Sequence, residues 1–112
     1  MDARAEELFD YVQERCLWQF HSRSWDRQEN IEGIIAKGIE LLQGKTPAVD
    51  TPKDRCFLAD ARIMVADFRS GFPWIKDADA EEIRQVMEQL SQLLVAVTIT
   101  HSKNRELSHH LY

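Results

Sequence analysis

The stretch between residues 80 and 97 is the strongest structural signal in the chain. Its apolar side chains recur at steps of three and four residues, the spacing that places them on one face of an α-helix. Asp79, followed three residues later by Glu82, has the form of a capping box, so this helix is predicted to begin near Ala80. The apolar positions are Ile83, Val86, Met87, Leu90, Leu93, Leu94 and Val97.

Two further helices are predicted in the first half of the chain. The first runs from Asp2 to about Phe20 and has acidic residues in its first turns. The second runs over residues 25–43, with Ser24 as its N-cap and Gly44 as its C-terminal cap. Its apolar stripe comprises Ile31, Ile34, Ile35, Ile39 and Leu42, and its two internal glycines, Gly33 and Gly38, are expected to let a neighbouring element approach closely.

A third helix and a tail complete the predicted fold. Thr51 is the expected N-cap of the third helix, Pro52 occupies its first position, and Gly71 and Pro73 end it. After the last helix, residues 98–100 are β-branched and predicted to be extended, and residues 101–112 are mostly polar. The sequence therefore predicts an all-α fold, a small bundle-like domain of about four helices with an irregular C-terminal tail, and one domain over residues 1–112.

Size and charge limit the classes of function. A chain of 112 residues has the usual size of one domain. Its 19 acidic and 14 basic residues give a net charge of −5, which disfavours binding to phosphate backbones or anionic lipids. The longest apolar run, residues 93–97, is too short to span a membrane, and the acidic start is unlike a signal peptide. We expect a cytoplasmic protein that binds neither nucleic acid nor membrane.

The residue types that carry catalysis or bind metals are scattered. Cys16 and Cys56 are far apart and have no second cysteine nearby, so neither a disulfide framework nor a zinc or iron–sulfur spacing is present. His109 and His110 are adjacent, whereas helical metal ligands usually lie three or four residues apart. The four glycines form no phosphate-binding loop. We predict no catalytic, cofactor-binding or metal-binding residue.

One dense cluster of aromatic and basic side chains remains, between Cys16 and Arg27. Tryptophan and arginine carry much of the binding energy at protein–protein contacts, although aromatic residues equally serve a protein's own core. The corner at residues 72–74 is likewise more typical of a loop that packs onto a core. We interpret the chain as an interaction protein with the partner-binding residues Trp18, Phe20, His21, Arg23, Trp25, Arg27, Phe72 and Trp74.

The segment from Cys16 to Arg27 closely resembles the delta subunit of the alternative nitrogenases, the vanadium–iron and iron-only enzymes. The resemblance continues through residues 72–74, 98–100 and 104–107 to the terminal Tyr112. Residues 29–33 and 108–112 are similar to the vanadium branch, whereas His21 and residues 54–56 are similar to the iron-only branch. The vanadium branch is the preferred interpretation and the iron-only branch is the alternative.

This resemblance implies a helical accessory subunit bound to the alpha chain of the dinitrogenase component, in an expected alpha-two beta-two delta-two complex on which the nitrogenase iron protein docks. The complex reduces N₂ with ATP and reduced ferredoxin or flavodoxin. The alpha and beta chains, not this chain, are expected to hold the iron–vanadium or iron-only cofactor and the P-cluster. A supporting role in cofactor insertion, stability or gating is implied. A dissociable assembly factor and a free-standing helical domain stay open as alternatives.

Overall fold

The computed structural model describes the backbone of residues 1–16 and 27–110 and the side chains of residues 1–14 and 27–98. This part of the chain contains helices and no strand, which confirms the predicted all-α class. A π-helical turn, Val12–Cys16, follows α1, and a 3₁₀ turn, Pro73–Lys76, follows α3. The α-helices of the described ranges are α1 (Ala3–Tyr11), α2 (Gln28–Leu42), α3 (Pro52–Gly71) and α4 (Ala80–His110).

Side-chain caps fix the starts of α3 and α4 where the sequence predicted them. Thr51 Oγ1 accepts a hydrogen bond from the Asp54 backbone N–H at 3.1 Å, and Asp79 Oδ1 accepts one from the Glu82 N–H at 2.8 Å. These bonds satisfy backbone donors that have no partner within the first turn of a helix. Pro52 takes the first helical position of α3, as expected.

The end of α2 is closed by Gly44, as predicted. Gly44 has a φ of 77°, a left-handed conformation that glycine adopts without steric cost. Its N–H donates to the Leu41 carbonyl at 3.1 Å and the Lys45 N–H donates to the Glu40 carbonyl at 2.9 Å. This is the Schellman arrangement, which satisfies the last carbonyls of the helix.

The first two predicted helices have different limits in the structure. The α-helical part of the first ends at Tyr11 and widens into the π-helical turn, and residues 17–20 lie outside the described part. The prediction that Ser24 caps a helix over residues 25–43 was wrong. Arg27 is the N-cap, with extended backbone (φ −126°, ψ 136°) and no side-chain cap bond. Its carbonyl accepts the N–H groups of Asn30 and Ile31, so the first helical turn forms there.

The C-terminal prediction was also wrong, because α4 continues through residues 98–100 to His110. Three β-branched residues cost a helix only a few tenths of a kcal/mol each. Neither glycine nor proline occurs after Pro73 to stop the helix. With 31 residues, α4 is about 46 Å long.

The helices α2 and α3 run in the same direction. Lys53 bonds Glu29 at one end of the pair, at 3.0 Å, and Arg69 Nη2 bonds the Leu41 carbonyl at the other, at 3.0 Å. The connection between them must therefore return along α2, where the Ala48 carbonyl accepts from Lys37 at 2.6 Å. By contrast α4 is antiparallel to α2, since the end of α2 reaches the start of α4 through a bond from Gln43 to the Ala80 carbonyl.

The two glycines within α2 permit the close approach of α3 that their positions suggested. A Cβ at Gly33 would overlap the Phe57 ring, and one at Gly38 would lie 2.5 Å from Met64 Cε. Among the described residues, Phe68 is the one aromatic ring fully buried in the core between the helices. Its buried members are Ala5, Leu8, Val12, Ile31, Ile34, Ile35, Ala61, Met64, Val65, Phe68, Ile75, Ile83, Val86, Met87, Leu90 and Leu94.

Candidate partner-binding surface

Five of the eight predicted partner-binding residues lie outside the described part of the chain: Trp18, Phe20, His21, Arg23 and Trp25. Arg27, Phe72 and Trp74 lie within it. The described chain approaches this stretch through the π-helical turn Val12–Cys16, in which Val12 is fully buried. Such turns are rare and occur frequently at functional sites. No sequence signal predicted this one.

Phe72 belongs to an aromatic cluster at the end of α3. Its ring meets Tyr11 edge to face with centroids 5.4 Å apart, and it meets Phe68 in the same way at 6.0 Å. Tyr11 and Phe68 are themselves 6.1 Å apart. Edge-to-face contacts of this kind stabilise a core. Phe72 as a whole is half-buried, and its role in partner binding stays a prediction.

Trp74 lies in the 3₁₀ turn and is covered by the N-terminal segment. The Arg4 guanidinium lies 5.1 Å from the centroid of the indole ring, a cation–π contact. Arg4 also donates to Asp2 at 2.9 Å and to Glu82 at 3.0 Å. The side-chain hydrogen bond from Arg4 holds the pKa of Asp2 below its usual range. The Trp74 Nε1 atom is buried, and no described residue accepts its proton.

Arg27 lies far from these two aromatic residues. It immediately precedes α2, whose first turn is beside the start of α3. Phe72 and Trp74 follow the end of α3, and α3 is about 30 Å long. Because α2 and α3 are parallel, the described members of the predicted surface occupy opposite ends of this helix pair. The structure does not gather them into one patch.

The outer face of α3, which links those two ends, was not predicted from the sequence. The exposed residues of this helix between Arg55 and Ser70 are arginine or uncharged, and Ile63 is 45% exposed. The spacing of Arg55, Arg62 and Arg69 by sevens could have revealed the row, since seven residues make about two helical turns. We define the outer face of α3 by Arg55, Ala59, Arg62, Ile63, Ala66 and Arg69.

A groove of about 590 Å³ lies between α2 and α4. Ile35, Ile39 and Val95 are among its apolar lining residues, and each helix contributes a carboxylate, Glu32 from α2 and Glu88 from α4. Glu32 accepts a hydrogen bond from Gln28 at 2.8 Å, and Glu88 one from Arg84 at 2.8 Å. These carboxylates are engaged in ordinary surface contacts. The lining residues are Gln28, Glu32, Ile35, Ala36, Ile39, Glu88, Ser91, Gln92, Val95 and Ala96.

Within the described residues, no group of three or more histidine, cysteine or acidic side chains is placed to hold a metal ion. Cys56 is an exposed free thiol on α3. The described helices include none that is long and apolar enough to cross a membrane. The described part of the chain thus defines a small all-α protein.

The chain belongs to the vanadium/alternative nitrogenase delta subunit family, whose match spans residues 2–112. It is 44% identical over 102 residues to the nitrogenase iron-iron protein delta chain of Clostridium pasteurianum, covering 91% of this chain and 88% of that one. It is 41% identical over 112 residues to the protein of the same name from Rhodospirillum rubrum, covering 100% and 97%.

A third relative of that name, from Azomonas macrocytogenes, is 40% identical over 108 residues and covers 96% of each chain. The family expected from residues 16–27 and the C-terminal segments is thereby confirmed. Membership in a family of nitrogenase subunits implies that the chain is part of an enzyme complex and associates with other nitrogenase subunits.

Proposed function

We propose that this chain is the non-catalytic delta subunit of the dinitrogenase component of an alternative nitrogenase, and that it binds the alpha chain. The family match over residues 2–112 carries the proposal. In the proposed cytoplasmic assembly, alpha, beta and delta chains are present in two copies each and the iron protein docks on the complex. The complex reduces N₂ with ATP and reduced ferredoxin or flavodoxin, and the delta subunit supports cofactor insertion or the stability of the alpha chain.

The clusters of this complex are proposed to reside on the alpha and beta chains. The two cysteines of the delta chain are far apart in the sequence, and Cys56 is exposed on α3. Iron–sulfur clusters are held by several thiolates brought together. The contribution proposed for this chain is therefore contact with the alpha chain.

For the metal of the complex we favour the iron-only branch. The relatives from three organisms are all named iron-iron protein delta chains, and His21 and residues 54–56 resemble the same branch. The vanadium branch, to which residues 29–33 and 108–112 are similar, is the alternative. The vanadium and iron contents of the purified complex distinguish the two.

Purification of the chain from nitrogen-fixing cells that express it tests the proposal. We expect it to retain the alpha and beta chains in stoichiometric amount with active, iron-only enzyme. Vanadium in that complex would instead assign the vanadium branch. Recovery with cofactor-free enzyme alone would identify a dissociable assembly factor. Purification without any nitrogenase chain would contradict the proposed function.

The predicted contact stretch can be tested by a single substitution. Trp25→Ala should weaken binding to the alpha chain about thirtyfold or more, because truncating a binding hot spot costs about 2 kcal/mol or more. Circular dichroism of the isolated variant should match that of the wild-type chain. Lys45→Ala, an exposed position in the connection after α2, is the control. Loss of helicity in Trp25→Ala would place the tryptophan in the core of the subunit.

A further inference from the structure

The outer face of α3 carries three arginines that form no ion pair with any described residue. The side chains of Arg55 and Arg62 are exposed and form no hydrogen bond or ion pair with any other described residue. Arg69 continues the row and bonds only a carbonyl, that of Leu41. The aspartates of this stretch, Asp60 and Asp67, are half-buried and have interaction partners. The exposed charge along four turns of α3 is therefore of one sign.

The exposed side chains of α1 and α4 are of mixed charge or acidic, as is usual for solvent-exposed helix surfaces. On α4, Arg84 bonds both Glu81 and Glu88, each one turn away. On α1, the exposed charged side chains are Glu6, Glu7 and Asp10. A row of arginines with no acidic partner among the described residues is unexpected on a chain with a net charge of −5. Such a row attracts negatively charged partners.

The side chains along this row suit contact with a helix. Ile63 is exposed at the centre of the face, between Ala59 and Ala66, which are also exposed. A large apolar side chain flanked by small ones offers a ridge and two shallow depressions, the shape into which a second helix packs at 8–10 Å between axes. From Arg55 to Arg69 the face is about 21 Å long. It extends between the end of α3 near Arg27 and the end that precedes Phe72 and Trp74.

We propose that the outer face of α3 docks an acidic amphipathic helix of the nitrogenase alpha chain. The identity of that partner rests on the function proposed above, whereas its acidic character rests on the arginine row. A second copy of this chain would fit poorly. A two-fold contact brings each surface against itself, so two rows of arginines would face each other.

The test uses the complex, formed by co-expression of each delta variant with the alpha and beta chains. Two variants probe the face: the double charge reversal Arg55→Glu/Arg62→Glu, and Ile63→Glu. Each should weaken binding about thirtyfold or more, the effect of losing a central contact. Wild-type binding should weaken as salt rises, and the double reversal should remove most of that dependence. Lys45→Glu, with the same change of charge per site at an exposed position off α3, should bind as wild type does.

The possible outcomes separate this inference from the proposed function. Wild-type affinity and salt dependence in both outer-face variants would overturn the inference and leave the proposed function intact. Failure of the wild-type chain to bind the alpha chain would overturn both. A wild-type dimer in sedimentation analysis that Ile63→Glu dissociates would make a second copy the occupant and contradict the acidic helix. Arg62→Lys, which keeps the charge, should retain most of the binding, and unfolding midpoints should show that each variant is folded.

Discussion

The two faces of α3 differ in almost every physical respect although they belong to one helix. The inner face buries Leu58, Ala61, Met64, Val65 and Phe68 against the other helices. The outer face exposes Ile63 at 45% together with arginines and alanines. Both faces contain large apolar and small residues. What distinguishes them is the surroundings. On the inner face Met64 lies against Gly38 of α2, whereas the outer face is exposed and is tied to α2 by the bond from Arg69 to the Leu41 carbonyl.

This difference teaches that apolar spacing alone does not separate a core face from a docking face. Ile63 follows the helical period as well as Met64 does, and only the fold shows which of them is covered. The charged neighbours distinguish the two kinds of face. Arginines that have no acidic partner and flank an apolar residue are typical of a surface that other molecules contact. Substitutions on the two faces should therefore have separable effects, with stability lost on the inner face and binding lost on the outer face.

The largest effect is expected from Phe68→Ala on the inner face. Phe68 is fully buried and packs edge to face against Tyr11 and Phe72. Its truncation should lower the free energy of unfolding by about 3–5 kcal/mol, measured by urea denaturation of the isolated chain. Ile63→Ala is the matched control and should change stability by less than about 0.5 kcal/mol. Similar losses from both would remove the distinction between the faces.

A smaller effect is expected to separate the two glycines of α2 that lie against α3. Gly33→Ala forces a Cβ against the Phe57 ring, a cost of about 1–3 kcal/mol that the better helix propensity of alanine offsets by about 1 kcal/mol. A Cβ in Gly38→Ala would overlap the terminal methyl of Met64, which can turn away, and would make ordinary contacts with Met87 and Val65. We expect Gly33→Ala to lower the thermal midpoint and Gly38→Ala to leave it nearly unchanged. The reverse order would contradict the close contact at Gly33.

The smallest effect concerns Asp54, in the first turn of α3. Its pKa is held below its usual value chiefly by a hydrogen bond from the Asp50 backbone N–H at 3.2 Å, with burial opposing and Lys37 assisting. A lowered pKa in the folded state stabilises the protein above the unfolded value, about 4, and this stabilisation is lost as pH falls through the lowered pKa.

Asp54→Asn should therefore lower the thermal midpoint at pH 7, and the difference from wild type should shrink as pH falls below about 4. Scanning calorimetry of both proteins at pH 7, 4 and 3 measures this difference in thermal midpoint. Asp77→Asn, which removes one exposed carboxylate from the turn before α4, controls for the change in net charge. A difference that stays constant with pH would show that the carboxylate of Asp54 does not act through ionisation.

Sequence reasoning predicted the parts of the fold that depend on local chemistry. Thr51, Asp79 and Gly44 satisfy backbone groups within one turn of themselves, so their residue types alone indicate the ends of helices. The start of α2 was misjudged because Ser24 is a suitable cap, whereas Arg27 takes the position without any side-chain bond. The continuation of α4 was missed because β-branched residues were given more weight than the absence of a helix-breaking residue.

The site was less predictable than the fold. The composition of residues 16–27 correctly indicated the family, and the side-chain positions of that stretch lie outside the described residues. Phe72 and Trp74 pack largely on the protein's own core, and Arg27 lies at the opposite end of the α2–α3 pair. The spacing of the α3 arginines by sevens indicates from the sequence that they share one face, but only the burial pattern shows that this face is exposed.

The parallel direction of α2 and α3 has a consequence for how the chain folds. In an antiparallel pair of helices, the contacts next to the turn close a loop of only a few residues, and each later contact forms beside one that is already in place. Here the bond between Lys53 and Glu29 joins residues 24 apart, and that between Arg69 and Leu41 joins residues 28 apart. Every contact along the interface therefore carries nearly the same entropy of loop closure. Contacts between α2 and α3 therefore cannot form one after another outward from a tight turn. They form together once the connection has returned along α2.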